Sequence, residues 1–295
     1  MVSAADSRTH VVETEAGLVE WATGAIGDPL RGAVRGYTGY RENATDPVQR
    51  RESPTGQVVL IVSFGDQLRT QAATAGGGGA GGGGSLRAYT SFVAGLHDTP
   101  AATAHDGRQH GIQIGLDPPA AFALLGVPMH EIAGGAVELR ELLGRTADRW
   151  TDQLATTKTW ADRFGVLDQL LGEQISAGPV ASPEIRWAWA ELRRSAGQVR
   201  IGDLAEQVGC SHRHLVACFR EQIGVTPKTA ARVLRFQHAR HLLDAGQSPA
   251  VVAARCRYSD QSHLSREFTR LAGCTPAEFT RHRSGLSKMP ATTPG

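Results

Sequence analysis

A weak internal repeat with an offset of 49 residues constrains the last third of the chain more than any other feature. Ala205 matches Ala254, Leu215 matches Leu264 and Phe219 matches Phe268, and Gly224-x-Thr226-Pro227 matches Gly273-x-Thr275-Pro276. Side chains four apart share one face of a helix, so Leu-x-x-x-Phe marks a helix with a buried side in each copy. In the first copy, residues 201–208 read as a leading helix and Gly209-Cys210-Ser211 as a turn. Glycine takes the positive φ that a tight interhelical turn needs, and the Ser211 hydroxyl can cap the helix that follows. Ala205 is small enough for two helices to cross closely. This is the physical pattern of a helix-turn-helix, whose second helix enters the major groove of duplex DNA.

With Leu215 and Phe219 inward, the opposite stripe of the first such helix is Arg213, Val216, Ala217 and Arg220. Arginine can donate as a fork to guanine O6 and N7, whereas valine and alanine can touch only apolar groups such as the thymine methyl. The corresponding stripe of the second copy is Ser262, Ser265, Arg266 and Thr269, with Gln261 at the helix start and His263 beside it. That face reads by hydrogen bonds. Residues 230–243 have helical spacing through Val233, Leu234, Ala239, Leu242 and Leu243, which predicts a rigid connecting helix. Two units so joined would meet successive major-groove segments, about 34 Å apart.

Charge agrees with this placement. The net charge is only +2, but residues 1–179 hold 14 Lys and Arg against 20 Asp and Glu, and residues 180–295 hold 17 against 9. A basic segment joined to an acidic one is the electrostatic footprint of nucleic-acid binding.

At 295 residues the chain exceeds the roughly 100–200 of one domain, so two are expected. Residues 1–20 read as a disordered leader, 21–176 as a sensory or dimerisation domain, 177–183 as a linker, 184–285 as the DNA-binding domain and 286–295 as a disordered tail. Within the first domain the apolar run 57–64 and the segments 33–40, 86–94 and 111–116 are strand candidates, and their Gly and Pro punctuation suggests a β-sandwich or barrel. The glycine-rich run 75–85 lacks both a following Lys-Ser/Thr and a GxGxxG register, so it reads as a surface loop rather than a phosphate cradle. From 138 to 175 the period turns helical: Leu139, Leu142 and Leu143 lie on one stripe, and Trp160, Phe164, Leu167 and Leu171 on another. Two helices fit, either as a cover for the sheet or as a dimer interface.

Other chemistries are weakly marked. The four cysteines form no CxxC pair and are expected to be reduced. His97, His105, His110 and His130 include no HxH pair, and no GxSxG frame occurs, so no catalytic residue, metal or cofactor is expected. A metal-dependent cupin-type enzyme domain tethered to a DNA-binding domain is the alternative. Tyr37, Tyr40, Phe64, Tyr89 and Phe92 either line a ligand pocket or fill a core. A mean hydropathy of −0.24, with neither a long apolar stretch nor a secretory signal pattern, predicts no membrane partner and a cytoplasmic protein, nucleoid-associated when bound to DNA.

Residues 184–283 resemble the AraC/XylS family of transcriptional regulators. The likeness rests on Tyr258-Ser259-Asp260-Gln261-Ser262-His263-Leu264-Ser265-Arg266-Glu267-Phe268, on Gly273-Cys274-Thr275-Pro276 with Phe279, and on the connecting segment from Arg235 to Leu243. The resemblance implies that Arg213, Val216, Ala217, Gln261, Ser262, His263, Ser265 and Arg266 approach bases. It implies phosphate contacts at Ser211, Lys228 and Arg270, with Arg220 assigned alongside them. Arg257 is a departure, since family members usually carry glycine just before the aromatic residue that is Tyr258 here. Pro54-Thr55-Gly56 and Leu124-Leu125-Gly126-Val127-Pro128 are similar to an N-terminal pattern of such regulators. The implied whole is an α+β chain of two domains: a mainly β, cupin-like barrel or sandwich with two following helices, then an all-α domain with two helix-turn-helix motifs joined by a connecting helix. Its implied function is sequence-specific transcriptional regulation on double-stranded DNA, with activation ahead of repression. RNA polymerase, a small-molecule effector and a second copy of the chain, held through the N-terminal domain, are the expected partners.

Overall fold

The computed structural model describes residues 7–14, 17–71 and 86–286. The N-terminal region is rich in sheet. Its strands are β1 (Arg8–Thr14), β2 (Gly17–Gly24), β3 (Val34–Ala44), β4 (Val48–Glu52), β5 (Val58–Ser63), β6 (Leu68–Gln71), β7 (Leu86–Tyr89), β8 (Phe92–Ala94), β9 (Ala101–His105), β10 (Arg108–Leu116) and β11 (Ala136–Glu138). They form two antiparallel sheets, one in the order β1-β2-β3-β10-β5-β8-β11 and the other β4-β9-β6-β7. Helices α1 (Pro118–Leu125), α2 (Leu139–Leu143), α3 (Arg145–Thr156) and α4 (Trp160–Ala177) belong to the same region. A helical C-terminal region follows, with α5 (Pro183–Arg194), α6 (Ile201–Gln207), α7 (His212–Ile223), α8 (Pro227–Asp244), α9 (Pro249–Arg255), α10 (Gln261–Ala272) and α11 (Pro276–Leu286).

Alternation along β3 sorts its side chains onto two faces. On one face Tyr37 stacks against Phe164 of α4 with ring centroids 5.6 Å apart. The helix lies so close that a Cβ on Gly24 would stand 2.2 Å from the Phe164 ring, and one on Gly39 would stand 2.3 Å from Trp160. Absence of side chains at these two strand positions is therefore what lets α4 dock. The other face looks toward the second sheet: Glu42 is ion-paired with Arg50 of β4 at 2.7 Å, and His105 of β9 lies 3.5 Å from the same carboxylate. Burial opposes ionisation of Glu42, but the neighbouring His105 and the hydrogen-bonded Arg50 outweigh it and hold the carboxyl below its ordinary value.

The apolar core ignores the boundary between the two regions. One continuous buried cluster runs from Leu60, Ile112 and Ile114 of the sheet through Leu124 and Leu167 to Trp189, Phe219 and Ile223. A separate cluster, including Phe236, Val252, Leu264 and Phe268, holds the second repeat together. Trp189 of α5 donates its indole N–H to Asp117 at 3.1 Å, and Arg35 of β3 bonds the same carboxylate. The first repeat thus shares its core with the sheet-rich region, and the second has its own.

Several expectations need correction. Residues 8–14 form β1, paired along its whole length with β2, instead of lying in an irregular leader. Among the described residues four α-helices, not two, follow or interrupt the sheet, because α1 and α2, of eight and five residues, are too short to show a helical period. Residues 178–182 are docked: Ser182 N donates to Gln222 Oε1 at 2.8 Å, and a Cβ on Gly178 would meet the Ala123 carbonyl at 1.7 Å. Helix α11 extends to Leu286, while the glycine-rich run 75–85 and residues 287–295 lie outside the described residues. Four of the five aromatic residues fall into two separate groups. Tyr37 and Phe64 lie on the helix-covered side, whereas Tyr89 and Phe92 pack with Ile61 and Ala136 in another cluster.

Candidate nucleic-acid interface

Each repeat is built by local chemistry that can be followed atom by atom. Gly209, at φ +70°, turns the chain after α6, and the Ser211 hydroxyl accepts from His214 N at 3.2 Å to open α7. Gly224, at φ +104°, closes α7 in the left-handed conformation. Thr226 then caps α8 by accepting from Thr229 N at 3.1 Å, with Pro227 in the first turn, where its missing N–H costs nothing. The second copy repeats this ending. Gly273 closes α10 at φ +74°, and Thr275 and Glu278 cap each other reciprocally, with Glu278 N to Thr275 Oγ1 at 3.2 Å and Thr275 N to Glu278 Oε2 at 2.7 Å.

Helix α7 buries Leu215, Phe219 and Ile223, which leaves Arg213, Ala217 and Arg220 exposed and Val216 half-buried on the other side. Helix α10 buries Leu264, Phe268 and Leu271, with Gln261, Ser262, Arg266 and Thr269 exposed and Ser265 half-buried. Asp260 opens α10 by accepting from His263 N at 2.7 Å. Phe236 of α8 packs against Phe268 at 5.0 Å between ring centroids, which fixes α10 to the connecting helix. Among the described residues, Arg213, Arg220, Lys228 and Arg266 have no carboxylate within ion-pair distance. The outer faces of both helices therefore present unneutralised positive charge beside hydrogen-bonding side chains, the chemistry of a phosphate- and base-contacting surface.

Residues 204–282 match the family model described as a helix-turn-helix domain. The C-terminal region carries a helix-turn-helix domain. An uncharacterized HTH-type transcriptional regulator of Bacillus subtilis, YbfI, is 34% identical over 91 residues, which are 30% of this chain and 33% of that protein. The HTH-type transcriptional activator RhaS of Escherichia coli is 35% identical over 100 residues, 34% of this chain and 36% of RhaS. The chain thus spans about a third of the length of the curated relatives it matches. Among solved structures, a transcriptional regulator from Chromobacterium violaceum described as AraC-type covers 36% of this chain and 96% of its own, at 25% identity and a TM-score of 0.33.

Two residues of the helix-turn-helix domain stand differently from their expected places. His263 is tied back to its own turn: its Nδ1 lies 3.3 Å from Ser259 N, which donates to it, and its ring stands edge-on to Tyr258 at 5.3 Å. Arg270 faces the sheet-rich region, where it donates to Asp98 at 3.2 Å. Arg257 has φ +54°, so the position that usually carries glycine keeps the glycine conformation with an arginine in it.

Contacts with the sheet-rich region were not visible in the sequence. Asp98 bonds Arg232 of α8 as well as Arg270, Arg51 donates to the Gly273 carbonyl at 2.8 Å, and Gln237 bonds the Pro54 carbonyl. The partners are more than 130 residues apart in the chain, and no local pattern marks them. Three of the histidines singled out in the sequence have separate surroundings: His97 Nδ1 faces the Thr99 carbonyl at 2.6 Å, His105 faces Glu42, and His110 stands between Phe64 and Trp160. Among the described residues no three His, Cys, Asp or Glu side chains group as metal ligands, and no helix is long and apolar enough to cross a membrane.

Proposed function

We propose that the chain is a sequence-specific transcriptional regulator that reads two successive major-groove segments of double-stranded DNA, one with α7 and one with α10. The observation that carries this reading is the pair of exposed, unneutralised faces on helices joined by a single continuous helix. Helix α8 has 18 residues, a length of about 27 Å, which suits two units spaced by one turn of duplex. In this reading Arg213 and Arg266 donate to guanine, Val216 and Ala217 touch thymine methyl groups, and Gln261, Ser262 and Ser265 bond base edges. Ser211, Arg220 and Lys228 contact phosphate; the Ser211 oxygen that caps α7 still has a proton to donate. Residues 184–285 are the DNA-binding domain, and the sheet-rich region with its helices, from β1 to α4, is its sensory and dimerisation partner.

The finer partners follow from the same reading. Activation, as the name of RhaS states for that protein, would bring RNA polymerase to the promoter as the second macromolecular partner. Strand β1 is the outer strand of the larger sheet and carries Val11 with 59% of its surface exposed, which suits pairing with a second copy. The nucleoid is then the site of action, and the role is regulatory rather than catalytic. Selection of bound sequences from a random duplex library by the full chain tests this. Enrichment of a motif with two blocks about 10 base pairs apart supports it, and recovery of unenriched sequence overturns it.

A further inference from the structure

An open cavity of about 330 Å³ lies where β1, β2 and β3 meet the first turn of α4, on the face of the sheet away from its partner sheet. That volume fits a small organic molecule. Three cations converge on it, Arg41, Lys158 and Arg163. None of the three has a carboxylate within ion-pair distance among the described residues. The one acid in the lining, Glu20, accepts the indole N–H of Trp160 at 2.6 Å.

Arg163 is the informative member. Only 6% of its surface is exposed, and its guanidinium lies 4.6 Å from the Trp160 ring centroid and 5.2 Å from that of Phe64. Its Nε donates to the Leu154 carbonyl at 3.0 Å, and Nη1 stands 3.5 Å from His110 Nε2. Burial first, then the neighbouring Arg41 and Arg163, push His110 down to about 4, so at neutral pH the imidazole is uncharged and adds no compensation. A buried cation is ordinarily paired, because removing charge from water without a counter-ion is costly. Here the walls supply aromatic faces, a carbonyl and one carboxylate, Glu20, which accepts the Trp160 indole N–H and lies beyond ion-pair distance of the three cations. Thr159, whose hydroxyl caps α4, and the first residues of that helix border the same space, and a helix N-terminus favours negative charge.

We propose that this cavity binds a small organic oxyanion, a carboxylate or a phosphate ester, held by the Arg163 fork and steered by Arg41 and Lys158. Such an anion would bridge the first three strands to the start of α4, whose far end leads directly into α5. The site does not depend on DNA binding; if the regulatory reading also holds, it is an effector site.

Isothermal titration calorimetry of the full chain tests the proposal, with inorganic phosphate and benzoate as probes and benzamide as a neutral counterpart of benzoate, all at pH 7.5 and constant ionic strength. At least one anion is expected to bind with one site per chain, and benzamide is not. Arg41→Gln and Lys158→Gln, both at exposed positions, should each weaken that binding about five-fold or more, as expected for the loss of a charge-assisted contact. Arg140→Gln, exposed on α2, should leave it unchanged. Binding of phosphate alone assigns a phosphoryl ligand, and binding of benzoate alone a carboxylate. No binding of either anion, equal binding of benzamide, or binding that survives both cavity substitutions together overturns the proposal.

Discussion

Asp98 Oδ2 accepts a hydrogen bond from Arg270 Nη2 at 3.2 Å, joining the sheet-rich region to the second helix-turn-helix across 172 positions of sequence. The same carboxylate bonds Arg232 of the connecting helix, and Glu267 lies 3.9 Å from Arg270. A guanidinium so engaged is not free to meet a phosphate, although Arg213, Arg220 and Arg266 stay exposed with the two regions docked. The arrangement leaves the outer faces of α7 and α10 open while engaging the Arg270 guanidinium.

Replacing Asp98 by Asn should release that charge. Partly exposed ion pairs contribute about 1 kcal/mol or less, so the fold should tolerate the change. Binding to a random duplex should tighten two- to ten-fold, with a steeper dependence on salt because one more counterion is released. Fluorescence anisotropy across a salt series measures both. Unaltered affinity and slope would mean that Arg270 does not face the phosphate backbone even when freed.

Arg266→Ala should weaken binding to a selected site by about 1–3 kcal/mol and relax preference at one position, with little effect on a random duplex. Comparing the two duplexes by titration separates base contact from phosphate contact. Equal loss on both would move Arg266 to the backbone.

Arg257→Gly should stabilise the second repeat. A residue with a side chain in the left-handed region costs roughly 1–2 kcal/mol, which glycine avoids at the price of a more flexible unfolded chain. The net gain should be about 0.5–1 kcal/mol, read as a higher urea midpoint. A lower midpoint would show that the exposed Arg257 side chain makes a contribution larger than its backbone cost.

Acidification should weaken the fold through His110. Its folded value lies at about 4, below the ordinary 6.5, so the unfolded chain takes up the proton first. Protons then favour the unfolded state, and stability declines as pH falls from about 6.5 toward 4. His110→Gln should flatten this part of the profile in thermal melts between pH 7 and 5. A profile as steep as that of the unchanged chain would assign the loss to other groups.

The helix ends were legible in the sequence, and so were the buried and exposed faces of α7 and α10. Gly224-x-Thr226-Pro227 and its copy each place a left-handed closure, a capping hydroxyl and a proline within four residues, and those effects act over one turn. Strand β1 was not legible, because the alternation of Arg8–Thr14 carries little apolar signal and its partner β2 is what gives it order. The tie of His263 to Ser259 was also hidden, since a histidine on a recognition stripe looks the same whether its ring points outward or back to the turn.

Local rules and charge counting alone determined that two similar helix-turn-helix units, joined by a helix, occupy a basic C-terminal region. These properties depend on backbone conformation and on side chains a few residues apart. Only the tertiary structure decided which face of β3 meets α4, that the first repeat shares its core with the sheet while the second keeps its own, and that Asp98 holds Arg232 and Arg270. Those outcomes depend on close packing and on charges brought together from distant parts of the chain, and both are set by the folded geometry rather than by neighbours in sequence.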